Sequence, residues 1–361
     1  MSVSLTISKV FDWVRVEFPR SEQHYDAIFY VTSPFQLMCA FEARERFALQ
    51  NTLLVLVIEF STDTANKRQL TRLVHELGWT HILSLKQDLR SKFFSQLAVL
   101  SVIKCLKHSR LFLGEYSSFG RALIGLGPWS SLFLLDDGTA TIAEQYRLSS
   151  PKAAGFRRHL WDWFRDFRFR IFGYSANFQS EIVLFSTIVK NPVGSVGLIR
   201  HSFENLRAFF GSRNASSCQD YSIFVGGDLG LDEKNYDEIL RCAEFFLKAN
   251  CNPVYMLHRD ENEHAIQQRV LRYGYSLYRS NLPIELEILF RGKAPSAIVG
   301  TISTALITLK SLFPQVRTVA IDIREFWPNT VSLDRVYSNF KDRGIEIVRL
   351  KENGELVKSS K

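Results

Sequence analysis

The stretch Ala27–Phe47, AIFYVTSPFQLMCAFEARERF, decides the fold. Ala27 to Thr32 is a compact apolar run, and Ser33-Pro34 closes it. Serine caps a helix by accepting a backbone N–H, and proline at the first helical position loses no hydrogen bond. The amphipathic segment that continues to Phe47 is therefore a helix, and the whole stretch reads strand, tight turn, helix.

The same unit recurs along the chain. Leu53 to Phe60 reads as a strand, Thr64 to Leu77 as a helix stopped by Gly78, His81 to Leu85 as a short strand and Asp88 to Lys107 as a helix. Leu111 to Gly114 and Leu132 to Leu135 are further strands. Continuous apolar strands alternating with helices predict an α/β fold, a parallel sheet covered on both faces. The polar stretch Gly211 to Gln219 reads as a linker. Beyond it the rhythm restarts with Tyr221 to Val225, a helix from Asp232 to Ala249, then Pro253 to Leu257, Ala297 to Val299 and Val316 to Ile321. Expected are two Rossmann-like, doubly wound domains, 1–210 and 211–361, facing each other across a cleft at the carboxyl ends of their strands.

A chain of 361 residues, 46% of them hydrophobic, can fill two cores of roughly 150 residues each. Lys and Arg number 45 against 37 Asp and Glu, a net charge of +8. Such a surface attracts phosphates, acidic sugars or anionic lipid; nucleic acid is not among the expected partners. The excess is concentrated, with ten basic residues against four acidic ones between Pro151 and Ser217. Five cysteines form no Cys-x-x-Cys pair, which argues against a disulfide framework and a zinc site and for buried thiols of a cytosolic protein. Charged residues interrupt the N-terminus, so it is not a secretory signal. The longest apolar-rich run, Pro295 to Leu309, is shorter than the roughly 18 residues of a spanning helix.

Three polar motifs follow apolar strands. Asp136-Asp137-Gly138 places two carboxylates at a strand's carboxyl end, where mutual repulsion and partial desolvation suit one of them to act as a base; a helix cap before Thr139 is the plainer reading. His258-Arg259 closes a second strand and can donate to a phosphate leaving group, or His258 is a satisfied polar residue. Ser303-Thr304 follows Gly300 and presents hydroxyls and free N–H groups to a phosphate, although capping alone explains the pair. Pro283 and Glu285 suggest a turn whose carboxylate accepts from ribose hydroxyls. Gly226-Gly227 allows close backbone approach to a ligand, and neither a Gly-x-Gly-x-x-Gly nor a Walker loop is present. Phe156 to Phe172 carries aromatic residues at helical spacing among arginines, which fits an anionic membrane surface or a core-facing helix with a basic outer side.

These motifs, in this order, resemble the bacterial sialyltransferases of GT-B architecture, in particular the lipooligosaccharide sialyltransferase and capsular polysialyltransferase groups. Those groups share an acidic-acidic-Gly motif, a His-Pro motif and a Ser-Ser/Thr motif, matched here by Asp136-Asp137-Gly138, His258-Arg259 and Ser303-Thr304. Tyr30 to Leu37 is similar to their first strand and turn, and Pro283-x-Glu285 to a short element before their serine motif. The resemblance spans Ala27 to Thr308 and departs from the family at Arg259, which stands where proline is usual.

The resemblance implies an inverting transfer of sialic acid or a related nonulosonic acid from a CMP-activated donor to a hydroxyl of a surface glycan or glycolipid. One carboxylate, Asp136 by preference over Asp137, would deprotonate the acceptor. His258 would stabilise the departing CMP, and Ser303 and Thr304 would hold its phosphate. No cofactor and no obligatory metal are implied. The first domain would supply the base and, through loops such as that at Ser33-Pro34, the acceptor side; the second would bind the nucleotide sugar. A cytoplasmic protein, peripheral on the inner face of the membrane, is expected, and a homodimer is left open. A transferase using CMP-Kdo or a UDP-sugar, and a catalytically silent scaffold of polysaccharide assembly, are the competing readings.

Overall fold

The computed structural model describes residues 24–59, 65–87, 92–138, 140–149, 166–174, 181–192, 194, 196–211, 221–227, 229–247, 252–258, 261–326, 330–350 and 356–358. It divides into two α/β units. One holds the described residues up to Ser186 together with Asn191–Arg200; the other holds Thr187–Lys190 and the described residues from His201 onward.

The first unit runs β1 (His24–Val31), α1 (Pro34–Arg46), β2 (Thr52–Glu59), α2 (Ala65–Glu76), β3 (His81–Gln87), α3 (Lys92–Lys104), β4 (Lys107–Leu113), α4 (Ser118–Ile124), β5 (Ser131–Leu135) and α5 (Ala140–Ser149). A short helix α6 at 166–171 follows, then β6 (Ile182–Ser186) and β7 (Gly197–Arg200). The seven strands are all parallel, in the order β3-β2-β1-β4-β5-β6-β7. This is the doubly wound order, and the crossovers change direction between β1 and β4, where such sheets bind ligands. Phe29 pairs with Phe112, and Phe112 with Phe133, across three adjacent strands. Register alone therefore lines the three rings up, each 4.5 Å from the next and stacked, and each such contact stabilises by about 0.5–1.5 kcal/mol beyond burial.

The second unit runs α7 (Glu204–Gly211), β8 (Ser222–Val225), α8 (Glu233–Leu247), β9 (Pro253–Met256), α9 (Glu263–Arg272), β10 (Ser276–Tyr278), α10 (Ile284–Arg291), β11 (Ala297–Gly300), α11 (Thr304–Leu312), β12 (Arg317–Ile321), α12 (Thr330–Asp342), β13 (Glu346–Leu350) and β14 (Leu356–Lys358). Its order, β10-β9-β8-β11-β12-β13-β14, repeats that of the first. Only β14 runs antiparallel to its neighbour. The reversal point here lies between β8 and β11.

The units part at Arg200/His201, ten residues before the expected 210/211. The reason is that α7 packs on α10, with the Phe210 and Phe290 rings 4.7 Å apart. The excursion Thr187–Lys190 also joins the second unit, because Arg343 and Asn339 donate to the Ile188 carbonyl at 2.7 and 2.9 Å. Lys107, expected to end a helix, begins β4 instead. Lys107 to Arg110 carries no apolar signal, but ladder pairing with His24 to Ala27 makes it a strand. Of the cysteines expected to be buried, Cys39 and Cys242 are; Cys105 is exposed at the end of α3, and Cys218 and Cys251 lie outside the described residues. Among the described residues no helix is long and apolar enough to cross a membrane.

Candidate functional site

In each unit most of the expected site residues follow the carboxyl ends of strands at or next to the reversal point: Ser33-Pro34 after β1 and Asp136-Asp137 after β5 in the first, Gly226-Gly227 after β8, His258 after β9 and Ser303-Thr304 after β11 in the second. In the first unit, Ser33 caps α1 by accepting the Gln36 N–H at 3.2 Å, with Pro34 as first helical residue. This cap turns the chain sharply at the end of β1 and points the buried Gln36 side chain toward β4 and β5.

The two aspartates after β5 have different surroundings. Asp136 is fully buried and accepts the hydroxyl of Ser186, at the end of β6. Asp137 is half-buried; its Oδ1 accepts Gln36 Nε2 at 2.7 Å, and its backbone N–H donates to Thr141 Oγ1 at 2.7 Å. Gly138 has φ +64°, a conformation glycine adopts without strain. A cavity of about 180 Å³ opens beside the pair, with Asp137, Glu115, Glu144, Tyr116, Ser117 and Thr141 in its wall; Asp136 is not part of that wall. Glu115 Oε1 accepts the Tyr30 hydroxyl at 2.8 Å. Burial first, and the Glu115 charge second, push the Tyr30 phenol well above its usual range, so it stays a donor.

In the second unit, Gly226-Gly227 directly follows β8, His258 stands two residues past the end of β9, and Ser303 caps α11 after β11 by accepting the Ala305 N–H at 3.2 Å. Thr304 is the first residue of α11. The unexpected member is Glu261. Its Oε2 accepts the His258 backbone N–H at 2.7 Å, and its Oε1 accepts the hydroxyls of Tyr255 at 2.6 Å and Tyr236 at 3.1 Å. Those two hydroxyls also bond to each other. Burial first and the Glu261 charge second raise the Tyr236 phenol, against the Tyr255 hydroxyl and Arg269, while burial, Tyr236 and Glu261 all raise Tyr255, so both remain protonated donors to the carboxylate. A Cβ on Gly226 would lie 2.3 Å from Glu261 Oε2 and 2.9 Å from the Met256 carbonyl, so glycine is required there by close approach. The turn carrying His258 is thus tied to β8 and α8 rather than left as a loose strand end.

Glu285, read from the sequence as a ribose contact, has a helix neighbour as a hydrogen-bond partner. It is 6% exposed, in the first turn of α10 behind Pro283, and accepts the Thr308 hydroxyl of α11. Its carboxylate locks two helices together. Arg259 lies outside the described residues, as does 156–165 of the basic aromatic segment. Sequence reasoning missed Gln36, Ser186 and Glu261. Gln36 stands inside the opening stretch, but a glutamine in a first helical turn has no pattern that marks it; Ser186 and Glu261 acquire meaning only through partners 50 residues away and through β8, β9 and α8.

No sequence family and no curated protein matches the chain. Solved structures do. An α/β-galactoside α-2,3-sialyltransferase from the luminous marine bacterium Photobacterium phosphoreum superposes with a TM-score of 0.51 at 12% identity, over 91% of this chain and 98% of that one. LpCGTa, solved in complex with UDP, superposes with a TM-score of 0.50 at 11% identity, over 89% and 83%. At these identities the likeness shows the fold alone, and that fold is the two-domain α/β class of the GT-B glycosyltransferases.

Proposed function

We propose that this protein is an inverting, metal-independent glycosyltransferase that moves a sialic acid or related nonulosonic acid from a CMP-activated donor to a hydroxyl of a surface glycan such as lipooligosaccharide or capsule. The observation that carries the reading is the half-buried Asp137 carboxylate on a cavity wall at the end of β5, within a doubly wound fold of the GT-B class. Asp137 takes the role of base in preference to Asp136, because Asp136 is buried against Ser186 and away from the cavity wall.

In the proposed reaction Asp137 takes the proton of the acceptor hydroxyl while that oxygen attacks the anomeric carbon. The bond from that carbon to the phosphate oxygen breaks with inversion, and CMP leaves carrying the electron pair. His258 and the Ser303-Thr304 hydroxyls donate to the departing phosphate, where stabilisation of developing charge has most effect on rate. Glu285 is left out of this machinery.

A calorimetric panel of CMP, CDP, UDP and GDP tests the donor. Selective CMP binding that His258→Ala weakens supports the proposal. A UDP-sugar transferase is the second reading, favoured by the likeness to a protein solved with UDP; preference for UDP selects it, and no nucleotide binding removes both.

The proposal includes a peripheral place on an anionic membrane face. Phe94 of α3 and Phe167, Ile171 and Phe172 of the α6 segment are exposed large apolar side chains, and Arg168 and Arg170 are exposed among them. The carboxylate of this segment, Asp166, turns inward to Arg121 through bonds of 2.8 and 2.9 Å. Apolar groups flanked by outward cations suit an anionic interface.

A further inference from the structure

Gln36 is fully buried at the β1–β4 reversal point, and both ends of its amide are committed. Oε1 accepts the Thr32 backbone N–H at 2.7 Å and the Thr32 hydroxyl at 3.1 Å, while Nε2 donates to Asp137 Oδ1 at 2.7 Å, across 101 residues of sequence. The orientation follows from chemistry. A flipped amide would set its NH2 against the Thr32 N–H and its oxygen against a carboxylate, two repulsive contacts in place of two hydrogen bonds.

The surroundings are shaped for this side chain. A Cβ on Gly114, at the end of β4, would lie 2.2 Å from Gln36 Oε1 and 3.0 Å from the Tyr30 carbonyl. The Ser33 cap sets the backbone from which Gln36 projects. Three strand ends therefore converge on one amide, and that amide holds one oxygen of the carboxylate on the cavity wall.

Resting on the reading of Asp137 as the base, we propose that Gln36 is the positioning residue of that base: its amide fixes the Asp137 carboxylate by charge-assisted donation to Oδ1 and favours its ionised form. Gln36 takes no part in bond making or breaking. Its effect passes through Asp137, which has the buried Asp136 beside it in the chain and the Tyr30 phenol within reach of its charge, and which shares the cavity wall with two carboxylates, Glu115 and Glu144. Both carboxylates would raise the proton affinity of Asp137, and the Gln36 donor opposes them.

The test has two arms. Protein labelled with 13C at aspartate carboxyls is titrated by NMR, the Asp137 signal being assigned by its loss in Asp137→Asn. Gln36→Leu removes the donor at similar size, and Gly114→Ala displaces the amide without altering either partner. Both should move the Asp137 midpoint upward, by about one pH unit for Gln36→Leu. In the second arm, Gln36→Leu should lower kcat about 10- to 100-fold and shift the acid limb of the pH–rate profile upward, with CMP affinity unchanged. An Asp137 midpoint that stays put in both variants overturns the proposal, as does wild-type kcat in Gln36→Leu when Asp137→Asn is inactive. If the midpoint moves but Asp137→Asn turns over normally, the assignment of the base is what fails. Should Gln36→Leu not fold, the Gly114→Ala titration decides alone.

Discussion

Ser186 at the end of β6 donates its hydroxyl to Oδ1 of Asp136 just past β5, binding the first carboxylate of the Asp-Asp pair to the carboxyl end of the neighbouring strand. One residue later the chain presents Asp137 to a cavity instead. Alternation of side chains after a strand is enough to give adjacent aspartates opposite surroundings, one structural and one accessible.

That division predicts different outcomes for the two asparagine substitutions. Asp137→Asn should lower turnover by about 10² to 10⁴-fold, the usual contribution of a general base, with thermal stability and CMP affinity unchanged. Asp136→Asn should instead lower unfolding stability by about 1–3 kcal/mol through its buried partner. Denaturant unfolding measured beside turnover separates them; a stable, inactive Asp136→Asn protein would return the base to Asp136.

Glu285 carries the second prediction. The buried hydrogen bond to Thr308 ties α10 to α11, so Glu285→Ala and Thr308→Val should each destabilise the second unit by about 1–3 kcal/mol in chemical denaturation. CMP affinity should hold in both variants below the unfolding range. Loss of CMP affinity at full stability in Glu285→Ala would restore the ribose contact expected from Pro283-x-Glu285.

The sequence carried the strand-turn-helix rhythm because apolar runs and caps are local signals. Ala27–Phe47 shows this: β1, the Ser33 cap, Pro34 as first helical residue and α1 all stand where they are expected. Register across strands is not local, and neither is a partner supplied by another element. Lys107 to Arg110 is a strand because β1 lies beside it, and Glu261 is a hub because Tyr236 and Tyr255 reach it from α8 and β9. The motifs gave the places of His258 and Ser303 at strand and helix ends; they could not show that Glu285, of the same polar type, faces inward.

Alkaline pH supplies a third prediction. Burial pushes the Tyr221 phenol up to about 12, the Arg291 charge opposing and the Glu287 charge assisting, while its hydroxyl donates to the Lys293 carbonyl at 2.7 Å. An unfolded tyrosine loses its proton near pH 10, so between about 10 and about 12 the native state binds the extra proton. Stability should therefore be level below pH 10 and fall as pH rises through that window. Tyr221→Phe should make the fall shallower in urea unfolding followed by circular dichroism; an identical slope would mean that the other buried tyrosines account for it.

The exposed apolar side chains give the last prediction. Arg168 lies over the rings of Phe93 and Phe169, 5.4 and 5.0 Å from their centroids, and Phe93 in turn meets Phe172 at 5.6 Å. These contacts join α3 to the α6 segment, so Phe94 and Phe172 belong to one packed surface rather than to two mobile tips. A surface of this kind should bind vesicles containing phosphatidylglycerol and release them as salt rises, since the arginines act through screened charge. Replacing both Phe94 and Phe172 by serine should weaken that binding severalfold in sedimentation while leaving CMP affinity intact, because the nucleotide is assigned to the second unit. Equal binding to neutral and anionic vesicles would remove the role of Arg168 and Arg170, and binding untouched by the double substitution would remove the surface itself.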